Sequence, residues 1–164
     1  LLFAIFQGTI EKEGEVLMSY ASIILAAAKS AGVSGSLLLA ICTHESGLKN
    51  TLVLNDKGSP TYGICQIKTG AAQTAGFKGD PDLLMRPEIN AQYASLYLKH
   101  QLDRYDGDEC RAVSAYNAGT FKESKRHPGQ PFNIEYIKLV QKTSDVQLFG
   151  AFTCQSAEVA QLGN

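Results

Sequence analysis

Between Leu37 and Gly47 the chain runs Leu-Leu-Leu-Ala-Ile-Cys-Thr-His-Glu-Ser-Gly. Leu38, Ile41, Cys42 and Glu45 fall at spacings of three and four, so a helix places them on one face. That face is apolar except for Glu45. Gly47 follows directly, the residue type that most often closes a helix in a left-handed conformation. The stretch therefore predicts a buried helix that delivers one carboxyl group in its last turn. There the macrodipole is negative and an anionic side chain is disfavoured. Partial desolvation would act in the same direction, holding the proton on Glu45 towards neutral pH. A carboxyl group kept protonated is what a general acid requires. On pattern alone, the commoner reading of Glu45 is an ordinary helix-end glutamate with its head in water.

The rest of the chain sets bounds around that helix. Its 164 residues suit one domain with one sizeable core. A formal net charge of −1 gives no reason to expect nucleic acid as a partner. No apolar run approaches the length needed to span a bilayer. Leu1 to Phe6 is apolar but too short for a signal-peptide core. It reads as the remnant of such a peptide, or alternatively as sequence upstream of a natural start at Met18. Gln7 to Glu15, polar and carrying two glycines, reads as a linker. Cys42, Cys65, Cys110 and Cys154 form no C-x-x-C pair, which removes zinc spacing. Four cysteines permit two disulfides, but Cys42 and Cys65 sit where small buried apolar side chains are expected, so free thiols are anticipated there.

Helical spacing recurs from Ser19, through Tyr20, Ile23, Ile24, Ala27 and Ala28, to a stop at Gly32. Ser34 then caps the Glu45 helix. Lys49 to Pro60 reads as a loop, Tyr62 to Ile67 as a small strand or turn, and Lys68 to Ala75 as a short helix ended by Gly76. Pro87 opens a long amphipathic helix that ends near Tyr105. Asp108 caps a helix carrying Val113 and Tyr116. Phe121 to Pro131 reads as a basic mobile loop, and Asn133 caps a helix with Ile134, Ile137 and Val140. Thr143 to Asn164 is weakly patterned.

Two further motifs follow Glu45-Ser46-Gly47 in order. They are Tyr62-Gly63-Ile64-Cys65-Gln66 and Ser114-Ala115-Tyr116-Asn117-Ala118-Gly119, with a weaker Tyr136-Ile137 later. Glycine at 63 lets backbone approach a bulky ring, and Gln66 offers both a donor and an acceptor. A tyrosine can pack its ring on the core and hand its hydroxyl to a cleft. Each has a plainer reading: Gln66 as a turn residue facing solvent, Tyr116 and Tyr136 as core aromatics, Asn117 as a helix-end cap. Ser46 has no nucleophile elbow around it, so it reads as a hydrogen-bonding neighbour of the acid. His44, His100 and His127 lack ligand spacing, and Asn55 to Gly58 resembles half a calcium loop without its alternating oxygens. No metal and no cofactor are expected.

The ordered set resembles the soluble lytic transglycosylase family of lysozyme-like enzymes, which carry E-S, then G-L-M-Q, then A-Y-N-A-G. The resemblance covers about Ser34 to Val140. Cys65 stands where the family has Met, and Phe132 where many members have a further Glu before the late Tyr. The resemblance implies a mostly α, lysozyme-like α+β fold, with a small β or turn element at a catalytic cleft. Its layout would be an extension or linker over 1–18, a catalytic domain over 19–145 and a tail over 146–164. It implies Glu45 as the catalytic residue, with Ser46, Gln66, Tyr116, Asn117 and Tyr136 binding the substrate. The substrate would be peptidoglycan, cut at the β-1,4 bond between N-acetylmuramic acid and N-acetylglucosamine. Glycoside hydrolysis usually needs two carboxyl groups. After Glu45 the next acidic residue is Asp56, in a segment without a motif. The single-acid family uses the substrate's own 6-hydroxyl instead and closes a 1,6-anhydro ring. The rival enzyme is a goose-type-like lysozyme with Asp56 positioning water. The rival from another class is a catalytically weak glycan-binding component of a phage or a secretion or conjugation channel. Each reading places the protein at the cell wall, reached from the periplasm, by export or from a virion.

Overall fold

The computed structural model describes the backbone of residues 2–56 and 58–146 and side chains at 12–56 and 58–143. The first helix, α1, runs over Leu2–Ala31. The expected linker at Gln7 to Glu15 is thus helical. Two glycines cost only about 1 kcal/mol each within a helix, and Glu11, Lys12, Glu13 and Glu15 are good helix formers. Residues 12–19 are all exposed, and burial begins at Tyr20, so this stretch of α1 stands off the core.

Helix α2, Gly35–Ser46, starts at Ser34, whose hydroxyl accepts from the Leu37 N–H at 3.2 Å. It stops at Gly47, in the left-handed region at φ 63°, whose N–H donates to the Thr43 carbonyl at 2.8 Å. Leu37 to Cys42 are buried, which leaves Glu45 at the rim of the core. Next comes an antiparallel sheet of three strands in the order β1 (Thr51–Asp56), β2 (Ser59–Gly63) and β3 (Ile67–Lys68). The stretch read as a loop is therefore a hairpin. Where it reverses, Asn55 Oδ1 accepts from the Gly58 N–H at 2.9 Å, with Gly58 at φ 89°. Helix α3 (Thr69–Thr74), a 3-10 turn (Pro81–Met85), α4 (Pro87–Arg104), α5 (Glu109–Ala118) and α6 (Ile134–Val146) complete the order. The tail beyond residue 146 lies outside the described residues.

The core gathers fully buried Ile24 of α1, Leu38 and Ile41 of α2, Leu98 of α4, Val113 of α5, and Ile137 and Val140 of α6. Helix α4 lies centrally, against α1, α5 and the sheet. From it, buried Asn90 reaches the turn after β2. Its Nδ2 donates to the carbonyls of Tyr62 (2.7 Å) and Leu84 (2.8 Å), and its Oδ1 accepts from the Cys65 N–H at 2.8 Å. This fixes Gly63 twice over: its φ is 72°, and a Cβ there would stand 2.4 Å from Asn90 Nδ2.

Cys42 and Cys65 are joined in a disulfide. The expectation of free thiols is corrected: α2 lays Cys42 against the turn that Asn90 holds, and burial in apolar surroundings is compatible with a bond. Cys110 is also disulfide-bonded; Cys154 lies outside the described residues. The Cys42–Cys65 link spans 23 residues and ties the Glu45 helix to the Gln66 turn. Closing a loop of that size restrains the unfolded chain by about 3 kcal/mol. Cys42→Ala/Cys65→Ala should lower the urea-unfolding free energy by about that amount. A loss under ~1 kcal/mol would show that helix and turn are held by packing alone.

Candidate active site

A cleft of about 940 Å³ opens beside the end of α2, lined by Glu45 on one side and by the sheet on the other. The end of α5, with Tyr116 and Asn117, and the residues Phe132 and Asn133 before α6 complete its wall. Of the six site residues expected from sequence, the cleft brings together Glu45, Gln66, Tyr116 and Asn117. Ser46 and Tyr136 do not line it.

Tyr136 instead stands behind the acid. Its hydroxyl donates to Glu45 Oε1 at 2.7 Å, which fixes the orientation of the carboxyl group. Burial, the Glu45 charge and this hydrogen bond together push the Tyr136 phenol well above its usual range. His44 packs edge-on against the Tyr136 ring at 5.2 Å between centroids. Burial lowers its pKa, so it is neutral at pH 7 and brings no positive charge to this corner. Ser46 is a positioning residue too. Its Oγ donates to the Ile64 carbonyl at 2.6 Å and accepts from the Lys49 N–H at 3.2 Å, so it braces α2 against the Gly63–Gln66 turn.

Gln66 faces the cleft at φ 46°, a left-handed backbone rare for a non-glycine residue. Its side chain is largely committed to the sheet. Nε2 donates to the carbonyls of Thr51 (2.9 Å) and Gly63 (2.8 Å), and Oε1 accepts from Thr61 Oγ1 at 2.6 Å. An amide oxygen has two lone pairs, so Gln66 keeps one acceptor position for a ligand. Tyr116 is buried, its ring 5.3 Å from that of Tyr97, another residue of the cleft wall. Its hydroxyl has no hydrogen-bond partner among the described residues. Burial first, then the nearby charge of Glu45, hold that phenol well above its ordinary range. Asn117 Oδ1 accepts from Asn133 Nδ2 at 3.1 Å.

Asp56 also borders the cleft, but it is engaged. Lys68 Nζ lies 3.1 Å from its Oδ2 and donates to its carbonyl oxygen at 2.7 Å. Among the described residues, no three His, Cys, Asp or Glu side chains converge as a metal would need. No described helix is long and apolar enough to cross a membrane.

Three order-specific motifs thus meet around one carboxyl group, and the family comparison agrees with them. The model of the transglycosylase SLT domain matches residues 22–134. The chain belongs to this family. By fold, the SLT domain described here is similar to a solved structure, the lytic transglycosylase Slt of Pseudomonas aeruginosa in an inactive glutamate-to-glutamine form. That likeness has a TM-score of 0.54 at 22% sequence identity and covers 76% of this chain. The chain spans 21% of the length of that protein. At this identity the likeness shows the fold: a mostly helical SLT domain with a small antiparallel sheet beside its cleft.

Sequence reasoning missed the buried Asn90, the Thr61–Gln66 contact, and the cleft positions of Tyr97 and Lys68. Tyr97 had only the periodicity of α4 to announce it, and that periodicity does not separate a core ring from a cleft ring.

Proposed function

We propose that the chain is a peptidoglycan lytic transglycosylase that cleaves the β-1,4 bond between N-acetylmuramic acid and N-acetylglucosamine with Glu45 alone. The observation that carries this reading is the pairing of Glu45 with Tyr136 at the cleft rim, while Asp56, the other carboxylate in the cleft wall, is held by Lys68. Membership of the SLT family supports the choice of substrate.

Glu45, protonated, gives its proton to the glycosidic oxygen as the bond breaks. The muramic N-acetyl group assists at the anomeric carbon. Glu45, now a carboxylate, takes the proton of the muramic 6-hydroxyl, whose oxygen closes the 1,6-anhydro ring. Water is neither consumed nor released. The 6-hydroxyl is tethered to the reacting carbon, so its effective concentration is high without a positioned water. Gln66, Tyr116 and Asn117 contact the sugar, whereas Ser46 and Tyr136 act through the acid. Disulfides suit an oxidising compartment, in keeping with work at the cell wall. Phage, secretion or conjugation proteins are the partners this activity would serve.

Product analysis tests the reading. Mass spectrometry of digested glycan should show 1,6-anhydromuramic ends, one water lighter than reducing ends, and Asp56→Asn should leave the ratio of the two unchanged. Reducing ends as the main product, lost in Asp56→Asn, would replace this reading with the goose-type-like lysozyme. Bound but uncut glycan would make the chain a binding module.

A further inference from the structure

Phe132 is half exposed, with 50% of its surface accessible, and it lines the cleft. Among the described side chains it is the only exposed phenylalanine or tyrosine. Its ring is left out of the core, so packing does not explain it.

Its backbone, in contrast, is held on both sides. The segment read from sequence as a mobile loop is a narrow hairpin, with Glu123 bridged to Pro131 and the Phe132 N–H donating to the Lys122 carbonyl at 2.9 Å. The hairpin is anchored at its start, where the Phe121 N–H donates to Tyr105 Oη at 2.8 Å and Arg104 reaches the Gly119 carbonyl at 3.3 Å. On the other side, Asn133 exchanges hydrogen bonds with Ser114 of α5: Ser114 Oγ donates to its Oδ1 at 2.6 Å, and its Nδ2 donates to the Ser114 carbonyl at 3.1 Å. A ring carried on such a backbone is a fixed apolar surface at low entropic cost.

The same cleft wall carries a donor, Asn117. Asn117 Oδ1 accepts from Asn133 Nδ2, and this sets the amide so that its own Nδ2 is the end presented away from Asn133. An apolar ring and an amide donor lining one cleft match a pyranose, whose one face is C–H and whose edge carries oxygen acceptors. We propose that Phe132 and Asn117 form a sugar subsite in which the Phe132 ring stacks on the C–H face of an N-acetylated pyranose while Asn117 Nδ2 donates to its acetamido or hydroxyl oxygen. This deepens the functional reading above, on which the choice of an N-acetylated sugar rests. The subsite governs strand binding and takes no part in bond cleavage.

The chain contains no tryptophan, so Phe132→Trp places one indole reporter in the cleft. The probe is stem-free glycan, prepared from peptidoglycan with an amidase, titrated into full-length Glu45→Gln protein so that binding is read without turnover. Stacking predicts that the Trp variant binds at least as tightly as its parent and that its emission shifts on binding. Phe132→Ala should weaken binding about tenfold, the scale of one lost aromatic contact, and Phe132→Leu should fall between. Equal affinity of the Ala, Leu and Trp variants, or saturable binding that leaves the indole emission unchanged, would overturn the subsite. The functional reading fails separately: a wild-type chain that binds glycan through Phe132 yet never cuts it keeps the subsite and loses the enzyme. If the Glu45→Gln parent binds no glycan at all, both fall.

Discussion

Glu45→Gln should lower the rate of peptidoglycan cleavage by at least about a thousandfold while the protein stays folded. General acid–base catalysis by one group is worth about 10²- to 10⁴-fold, and here one group serves as both acid and base. The substitution keeps size and hydrogen bonding, so the amide oxygen can still accept from Tyr136 Oη, which meets Glu45 Oε1 at 2.7 Å. Nothing in the cap changes either, since Gly47 closes α2 through its own N–H to Thr43. Release of soluble glycan fragments, followed chromatographically, and a thermal melt on the same sample separate chemistry from folding. Residual activity above about a tenth, in a variant with an unchanged melt, would end the single-acid reading.

The helices were legible where their signals are local. Ser34 and Gly47 bound α2, Pro87 opens α4 and Asp108 caps α5, each through residues next to the helix they delimit. The hairpin was not, for a physical reason. Residues 51–55 of β1 are all exposed, so no alternation of buried and exposed positions marks it as a strand. The disulfide could not be read either, because two cysteines 23 residues apart carry no sign that a helix and a turn converge. Of the expected site, Glu45, Gln66, Tyr116 and Asn117 reach the cleft. Tyr136 holds the acid from behind and Ser46 braces α2 against the Gly63–Gln66 turn, since a motif reports which polar group is near the site but not which way it points. Asn90 shows the same limit in reverse: an ordinary polar residue in a helical pattern turned out to hold the Gly63 turn.

The two tyrosines beside Glu45 should both lose activity without their hydroxyls but differ in what happens to stability. Tyr136 Oη is already spent on the carboxyl group. Tyr136→Phe removes a hydrogen bond to a group whose charge changes during the reaction, worth about 1.5–3 kcal/mol, so turnover should fall roughly 10- to 100-fold with little change in KM. Stability should fall with it. Tyr116 Oη is buried with no partner among the described residues, a state that costs the fold unless a ligand completes it. Tyr116→Phe should therefore leave the melting temperature unchanged or slightly raised, while kcat/KM falls about tenfold or more because the sugar loses its donor. Burial and the Glu45 charge keep both phenols protonated well past their ordinary range, so neither phenol contributes an ionisation of its own to the rate profile near neutral pH. Paired melts and kinetics on the two variants decide the matter. If Tyr116→Phe instead loses stability and activity in step, Tyr116 is a core aromatic, and the donor facing the sugar must be sought elsewhere on the cleft wall.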